Sequence, residues 1–302
     1  MRVLVFGAGA LGSALGGILT RKHDVVLVGR KENMDAIARN GLSLSGEFEL
    51  LHEVEAHESP DSIAPPDMIL LTTKAYDTRS AVAALSGLPW DDPSVLTLQN
   101  GLGNMEVLRA WKGPKAFGGT ITMGAQLVSP GHVKVSGLGR IVVGADMDEA
   151  GARKIADMFS GCGLTARVTK DIEAEIWAKA LVNACINPVT AVLRVPNGRL
   201  LESETIVHLM SDICDECAAV AESVGVTLPE ERMMDRVRSV AADTAANRSS
   251  MLRDIELGRR TEIGQLNGMI CRIGSAHGVP TPLNRAMVAM VEAMQPACVG
   301  KA

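Results

Sequence analysis

The feature of this sequence with the clearest chemical potential is a polar stripe on an apolar helix. In the segment EAEIWAKALVNACIN, residues 173–187, the polar residues Lys179, Asn183 and Asn187 are spaced i, i+4, i+8. Each step of four residues returns to within about 40° on a helix, so the three side chains share one face. A lysine ammonium can act as an electrophile and general acid, and carboxamides can hold a polar ligand without adding charge. A solvated surface stripe is the alternative interpretation, and the polar clusters elsewhere in the chain favour a site.

A nucleotide-binding signature opens the chain. Residues 2–6, RVLVF, predict a buried parallel strand, which is followed at once by GAGALG and a helical pattern. In a GxGxxG turn the first glycine permits the tight turn, the second lets a pyrophosphate approach, and the third lets helix and strand pack closely. The motif predicts that a dinucleotide is bound by Gly7, Ala8, Gly9, Ala10, Leu11 and Gly12.

The end of the second predicted strand, residues 24–28, indicates which dinucleotide. An NAD-binding chain usually carries a carboxylate there for the ribose 2′-hydroxyl, whereas this chain continues Gly29-Arg30-Lys31. Arg30 can hold a 2′-phosphate through charge-assisted hydrogen bonds. Glu32 lies close enough to keep NAD as the alternative, but the sequence favours NADP as the cofactor.

Two further polar residues follow predicted core strands. Lys74 ends the strand over residues 67–73, and Asn100 follows the strand over residues 95–99. Ligands of open α/β sheets bind at the carboxyl edge of the strands, so both side chains are candidates for cofactor contact. Asn-Gly is also common in plain turns, and that is the alternative for Asn100.

The character of the chain changes near residue 170. Before it, strand signals alternate with helices, including paired strands over residues 42–54 and an extended stretch over residues 117–123; after it, helical periodicity dominates. We therefore predict a dinucleotide-binding domain over residues 1–170 and a helical domain over residues 171–302.

Within the helical half, proline and glycine positions set the expected breaks. Pro188 should kink or end the first helix, and Pro196-Asn197-Gly198 predicts a turn. Further helices are expected over residues 203–224 and 229–247, and a break at Gly258 would place Glu262 in the first turn of a helix that runs to residue 277. Helix capping by Ser250 and a first-turn position for Glu262 are the plain structural interpretations.

Composition narrows the class of protein. The chain has 302 residues, a net charge of −5 and only eight aromatic residues, which argues against a nucleic-acid partner. No uninterrupted apolar run has the length of a membrane span, so we expect no membrane association and a cytoplasmic protein. The six cysteines are too dilute for a disulfide framework, and the Cys214-Cys217 pair lies in a helical pattern with no histidine partner. Metal-free chemistry is expected.

Taken together, these segments resemble the ketopantoate reductase (2-dehydropantoate 2-reductase) family. The resemblance spans essentially the whole chain and is carried by GAGALG, TTKAYDT, LQNGLGN, IWAKALVNACINPVTAVLRVPNG and NRSSMLRDIELGRRTEIGQLNG. It implies an α/β fold, with an N-terminal Rossmann dinucleotide-binding domain followed by an all-helical C-terminal domain and an active site between them. The implied reaction is the reduction of ketopantoate to D-pantoate by NADPH, in pantothenate and coenzyme A synthesis.

The resemblance also implies roles for individual residues. Lys179 falls on the catalytic lysine, and Glu262 on the glutamate that assists it. Arg30 and Lys74 fall on cofactor contacts, and Asn100 on the asparagine near both nicotinamide and substrate. The remaining substrate-binding positions are Asn183, Asn187, Asn197 and Ser250.

Three alternatives stay open. A related reductase could act on another branched or aromatic 2-oxo acid, for instance a D-mandelate dehydrogenase, because the motif residues handle only the 2-oxo acid head. A non-catalytic NADP-binding regulator would not need the intact lysine, asparagine and serine set. The apolar helices of the second half could serve a homodimer or only the core of one chain.

Overall fold

In a computed structural model of the protein, which describes residues 1–145, 147–228 and 232–296, the chain divides into two compact units. The first comprises residues 1–99 and 104–172, and the second comprises Asn100–Gly103 and the described residues from 173 onward. The short Asn100–Gly103 segment is thus grouped with the helical half, although it follows a strand of the first unit in the chain.

The first unit is built on an eight-stranded sheet. Its strands in spatial order are β12 (Thr165–Val168), β11 (Arg140–Gly144), β8 (Ala116–Ile121), β7 (Ser94–Thr97), β6 (Met68–Leu71), β1 (Arg2–Phe6), β2 (Asp24–Val28) and β5 (Glu55–His57). All neighbouring pairs are parallel except β8 with β11. The central strands read as continuous apolar runs because helices and loops cover both faces of a parallel sheet.

The chain reverses its direction of travel across the sheet at β1. It passes from β1 to β2 on one side and later returns to β6 on the other, so Phe6 pairs with both Val28 and Leu71. Such a switch point leaves a crevice at the carboxyl ends of the strands, where open α/β sheets bind ligands.

A second, four-stranded sheet belongs to the same unit. Its order is β4 (Leu50–His52), β3 (Leu42–Gly46), β10 (His132–Gly137) and β9 (Gly124–Ser129). The paired strands predicted over residues 42–54 are confirmed as β3 and β4. The extended stretch predicted over residues 117–123 is confirmed for residues 117–121, which belong to β8, while Thr122 and Met123 lie in the loop before β9.

Five helices complete the first unit: α1 (Ala10–Leu19), α2 (Lys31–Asn40), α3 (Thr78–Ser86), α4 (Asn104–Lys112) and α5 (Glu149–Gly161), with 3-10 turns at Ala75–Asp77 and Gly113–Lys115. Eight of the ten residues of α1 are buried, which fits a helix packed between the two sheets' apolar side chains. Two apolar clusters, with Leu4 and Leu70 as representative members, form the interior of this unit.

The second unit is helical throughout its described part. It contains α6 (Ile172–Leu193, whose first residue is grouped with the first unit), α7 (Glu204–Ser223), α8 (Met233–Asp243), α9 (Ser250–Glu256), α10 (Asn267–Ala276) and α11 (Pro282–Met294), with 3-10 turns at Asn197–Glu202 and Ile263–Gln265. One apolar cluster, which includes Leu181, Ile213 and Ile270, fills its interior. The all-helical expectation is confirmed for the described residues.

Helix α6 does not end at Pro188 but continues to Leu193. The expected four-turn helix is therefore too short, since a proline removes one hydrogen bond without preventing helical geometry beyond it. By length and hydropathy alone this helix could cross a membrane, but 72% of its apolar window is buried inside the protein. It is the central core helix of the second unit.

Two other helix boundaries differ from expectation. Helix α8 covers only Met233–Asp243 of the predicted 229–247, and residues 229–231 lie outside the described residues. Glu262 does not lie in the first turn of a long helix; it precedes the 3-10 turn Ile263–Gln265, and α10 begins only at Asn267. The non-helical backbone of Leu266 separates the two.

Candidate active site

The glycine turn lies between the end of β1 and the start of α1. Gly7 has φ of +111°, and a Cβ there would lie 2.7 Å from the Cα of Thr73. A Cβ on Gly12 would lie 2.6 Å from Thr72 Oγ1, so this glycine is required for close packing of α1 against β6. The backbone N–H groups of Gly7 and Ala8 both donate to the carbonyl of Val28. The turn is thus built into the switch point of the sheet.

Gly9 differs from the other two glycines of the motif because no atom of the described residues requires glycine at this position. A Cβ there would meet only the Gly7 carbonyl oxygen, at 3.9 Å, and its φ of −83° is open to any residue. The missing side chain instead leaves space at the amino end of α1, where the helix dipole and free N–H groups favour an anion. The cradle fits the pyrophosphate of a dinucleotide.

Two residues that the sequence analysis did not single out hold this turn. Asn33, buried on α2, donates to the carbonyl of Ala8 at 2.8 Å and accepts from the N–H of Gly131 at 2.8 Å. Thr72 Oγ1 donates to the carbonyl of Gly7 at 3.0 Å. A polar residue on the buried face of a predicted helix was the available signal for Asn33.

Arg30 stands directly after β2 and Gly29, at the amino end of α2, and its side chain is exposed. Among the residues that the structure describes it makes no ion pair, whereas neighbouring Lys31 pairs with Asp35 and Glu58. The Arg30 guanidinium is therefore the cation of this strand end that is available to a phosphate.

At the end of β6, Lys74 precedes the 3-10 turn Ala75–Asp77. The strand ends here are joined by Gln99, whose Nε2 donates to the Thr73 carbonyl at 3.0 Å and whose Oε1 accepts from Thr97 at 2.9 Å. This network fixes the backbone from which the Lys74 side chain starts. The structure thus brings the glycine turn and the Lys74 loop to the same edge of the sheet, with Gly7 against Thr73.

In the helical unit, Lys179 and Glu262 interact electrostatically. Burial of the Lys179 ammonium lowers its pKa to about 8, and the negative charge of Glu262 opposes that shift. Glu262 is itself buried, with 6% of its surface exposed. The fold therefore brings together two charged side chains that lie 83 residues apart in the sequence.

The Asn183 and Asn187 positions lie on the same helix as Lys179. Asn183 is partly buried and Asn187 is buried. Thr190 Oγ1 donates to the Asn187 carbonyl at 2.9 Å and is hydrogen-bonded to Ser249 Oγ at 2.7 Å. This contact ties the Asn187 turn of α6 to the amino end of α9.

Ser250 does not cap a helix. Ser249 accepts the hydrogen bond from the Leu252 N–H and is the capping residue, so the plain interpretation of Ser250 is wrong by one position. Ser250 is the first residue of α9 and is exposed. Its hydroxyl is not required for the helix end.

Asn197 begins the 3-10 turn Asn197–Glu202 and is buried. Its Nδ2 donates to Thr244 Oγ1 at 2.8 Å, and its N–H donates to the Asn247 carbonyl at 2.9 Å. The Oδ1 atom is buried without a partner among the described residues. It is a candidate acceptor for a ligand hydroxyl.

Asn100 lies in the segment Asn100–Gly103, where the Leu102 N–H donates to the Gln265 carbonyl at 2.9 Å. Gly101, with φ of +84°, permits this approach because a Cβ would collide with the Gln265 backbone. The segment is thereby tied to the 3-10 turn that follows Glu262. Sequence spacing gave no indication of this contact.

The five cysteines that the structure describes do not form a recognisable metal site. Cys214 and Cys217 are both buried in α7, as the helical pattern predicts. Within the described ranges, no three His, Cys, Asp or Glu side chains are grouped so that they could hold a metal ion.

A glycine turn at the switch point of a mostly parallel sheet, joined to a helical unit with a partly desolvated lysine, defines a two-domain dinucleotide-binding oxidoreductase. The comparisons with known proteins agree. Residues 3–147 match the family model described as "Ketopantoate reductase PanE/ApbA", and residues 171–295 match "Ketopantoate reductase PanE/ApbA C terminal". The chain belongs to the ketopantoate reductase family.

Relatives match over nearly their whole length. The 2-dehydropantoate 2-reductase of Archaeoglobus fulgidus is 37% identical, over 97% of this chain and 98% of its own. The enzyme of the same name from Pyrococcus horikoshii is 34% identical, over 98% of each chain.

Solved structures show the same architecture. A PanE/ApbA family ketopantoate reductase from Ralstonia eutropha superposes with a TM-score of 0.91 at 32% identity, over 97% of this chain and 98% of that one. A D-mandelate dehydrogenase with NADH and anilino(oxo)acetate superposes with a TM-score of 0.92 at 29% identity, with the same coverage. The α/β fold with a Rossmann domain and a helical C-terminal domain is thereby shown.

Proposed function

We propose that this protein catalyses the NADPH-dependent reduction of 2-dehydropantoate (ketopantoate) to D-pantoate, a step of pantothenate and coenzyme A synthesis. The proposal is carried by the surroundings of Lys179. Its pKa is lowered to about 8, it interacts with the charge of Glu262, and it shares helix α6 with Asn183 and Asn187. Full-length relatives named 2-dehydropantoate 2-reductase support the choice of substrate.

In the proposed reaction NADPH, when bound, supplies the hydride for C2 of the 2-oxo acid. Lys179 donates a hydrogen bond to the ketone oxygen and then a proton to the developing alkoxide, which is electrostatic stabilisation followed by general acid catalysis. A pKa near 8 keeps the amine largely protonated at neutral pH and makes it a better acid than an ordinary lysine. Glu262 keeps the proton on Lys179.

The remaining residues bind and orient in this proposal. The carboxylate and hydroxyl of the substrate are held by the uncharged side chains of Asn100, Asn183, Asn187, Asn197 and Ser250. Arg30 holds the 2′-phosphate of NADPH, the turn from Gly7 to Gly12 holds its pyrophosphate, and Lys74 and Asn100 contact the cofactor nearer the nicotinamide. We propose that residues 1–170 form the domain that binds NADPH and that residues 171–302 form the domain that binds the substrate and carries the catalytic residues.

We also propose that the enzyme works in the cytoplasm on a small-molecule substrate, without a nucleic-acid or membrane partner. The acidic net charge of −5 and the eight aromatic residues support this setting. A homodimer remains a prediction.

The test is the consumption of NADPH by the purified protein with a panel of 2-oxo acids. Ketopantoate should give the highest kcat/KM. A preference for phenylglyoxylate would instead indicate a D-mandelate dehydrogenase, and no turnover with any 2-oxo acid would favour a binding protein.

The Lys179→Ala variant tests the mechanism. The loss of a general acid predicts a decrease in kcat of about 10²- to 10⁴-fold, with unchanged affinity for NADPH in a fluorescence titration. An unchanged kcat would remove the lysine from the reaction.

A further inference from the structure

The carbonyl of Ala184 lies at a defect in helix α6. In a regular helix it would accept a hydrogen bond from the backbone N–H of residue 188, but Pro188 has none and its ring crowds the same carbonyl. The side chain of Asn267 supplies the missing donor, since its Nδ2 lies 3.0 Å from the Ala184 oxygen. An amide from α10 thus replaces one backbone hydrogen bond of α6.

The Asn267 amide is itself held by a buried chain of polar groups. Its Nδ2 also donates to Asn284 Oδ1 at 2.9 Å, and Asn284 Nδ2 donates to Glu216 Oε2 at 2.7 Å. Glu216 also accepts from the backbone N–H groups of Leu283 and Asn284 at the start of α11. Asn267 and Asn284 are completely buried, so removal of either partner would leave polar groups without water.

The chain of contacts joins the segments that carry the candidate site. Ala184 directly follows Asn183 and precedes Asn187 by less than one turn. Asn267 begins α10, and only Leu266 separates it from the 3-10 turn Ile263–Gln265. The carbonyl of Glu262 accepts from the N–H groups of Gln265 and Leu266 at this turn. One side chain therefore connects the asparagine turn of α6 to the backbone that carries Glu262.

We propose that Asn267 is a positioning residue for the reaction: by replacing the donor absent at Pro188, it fixes Asn183 and Asn187 relative to Lys179 and Glu262. Asn267 touches neither substrate nor cofactor in this account. The kinetic part of the inference rests on the proposed function, but the replacement of the helix hydrogen bond does not.

The structural part is tested by amide hydrogen exchange in the full-length Asn267→Leu variant, which keeps the branching and the number of side-chain heavy atoms but lacks the donor. Exchange over residues 183–193 should accelerate about tenfold, the equivalent of one hydrogen bond. Gln295→Leu is the matched control, because Gln295 accepts from the Thr261 N–H near the same turn. Equal exchange over residues 183–193 in Asn267→Leu and the parent protein would overturn the proposal.

Kinetics then separate positioning from a general loss of structure. Asn267→Leu should lower kcat/KM for the 2-oxo acid about ten- to a hundredfold, as expected for a misplaced site, while the affinity for NADPH is unchanged. Adding Pro188→Ala restores a backbone donor to Ala184. The kcat/KM of the double variant should therefore be more than about threefold higher than that of Asn267→Leu alone. A packing defect at residue 267 would not be rescued in this way, and the absence of rescue contradicts the proposal.

The two failures are distinguishable. If the parent protein does not reduce ketopantoate, the proposed function fails, and the exchange experiment with the Pro188→Ala rescue still decides the role of Asn267. If the parent protein is active but Asn267→Leu matches Gln295→Leu in both measurements, only the positioning role fails.

Discussion

Lys179 is subject to two opposing electrostatic influences. Burial disfavours its charged form and lowers the pKa to about 8, and the larger of the two effects is this desolvation, because the charge of Glu262 only partly offsets it. The result is an amine that holds its proton at neutral pH and yields it more readily than an exposed lysine. This balance suits the role proposed for Lys179, that of an acid that donates a proton in every turnover.

The pH dependence of reduction follows from that pKa. In the proposed mechanism Lys179 must be protonated, so kcat/KM should fall as the pH rises above about 8. Glu262 raises the lysine pKa, so Glu262→Gln should move this alkaline limb to lower pH. A pH profile of kcat/KM for the 2-oxo acid under saturating NADPH measures both effects. A limb that moves to higher pH in the variant would contradict the assigned direction.

Arg30 is expected to select the cofactor. Arg30→Ala should weaken NADPH binding about ten- to a hundredfold, because a charge-assisted hydrogen bond to the 2′-phosphate is lost, and should leave NADH binding nearly unchanged. The matched control is Lys31→Ala, whose ammonium already pairs with Asp35 and Glu58. Dissociation constants for both cofactors check this expectation, and equal weakening toward NADH would refute the 2′-phosphate role.

At the scale of elements, the three glycines of the glycine turn are needed for different reasons. Gly7 and Gly12 are required by the protein, since a Cβ at either would collide with the backbone or with Thr72. No described residue of the chain requires glycine at position 9. We therefore expect that its absent side chain leaves room for the cofactor.

This difference predicts opposite outcomes for two similar substitutions. Gly12→Ala should destabilise the first unit by about 1–3 kcal/mol through overpacking, as measured by thermal unfolding. Gly9→Ala should leave the melting temperature nearly unchanged and weaken NADPH binding. A fold that tolerates Gly12→Ala but not Gly9→Ala would reverse the assignment.

Helix α6 illustrates how tertiary contacts override a local rule. Proline predicts a kink or an end, and the helix nevertheless continues for five residues beyond Pro188. The neighbouring Asn267 side chain satisfies the carbonyl that proline leaves free. The helix can therefore carry Lys179, Asn183 and Asn187 on one uninterrupted element.

At the scale of the whole molecule, each unit has its own apolar core. We therefore expect a ligand to stabilise mainly the unit to which it binds. NADPH at a hundred times its Kd should add about 2.7 kcal/mol to the stability of the unit that binds it. Hydrogen exchange should slow in the glycine turn and in β1, while α7 in the helical unit is unaffected. Equal protection of α7 by NADPH alone would argue against the assignment of the cofactor to the first unit.

Local chain properties determine much of this protein. Strand, glycine turn and helix follow one another within twenty residues, so GxGxxG and Arg30 could be interpreted from the sequence alone. The spacing of Lys179, Asn183 and Asn187 likewise requires only helical periodicity.

Contacts between distant segments were decided by tertiary structure. Lys179 meets Glu262, Leu102 meets Gln265, and Asn267 completes α6 because packing of an apolar core brings these segments together. The periodicity of the sequence does not predict these contacts, because each depends on which distant segments of the chain pack their apolar faces together.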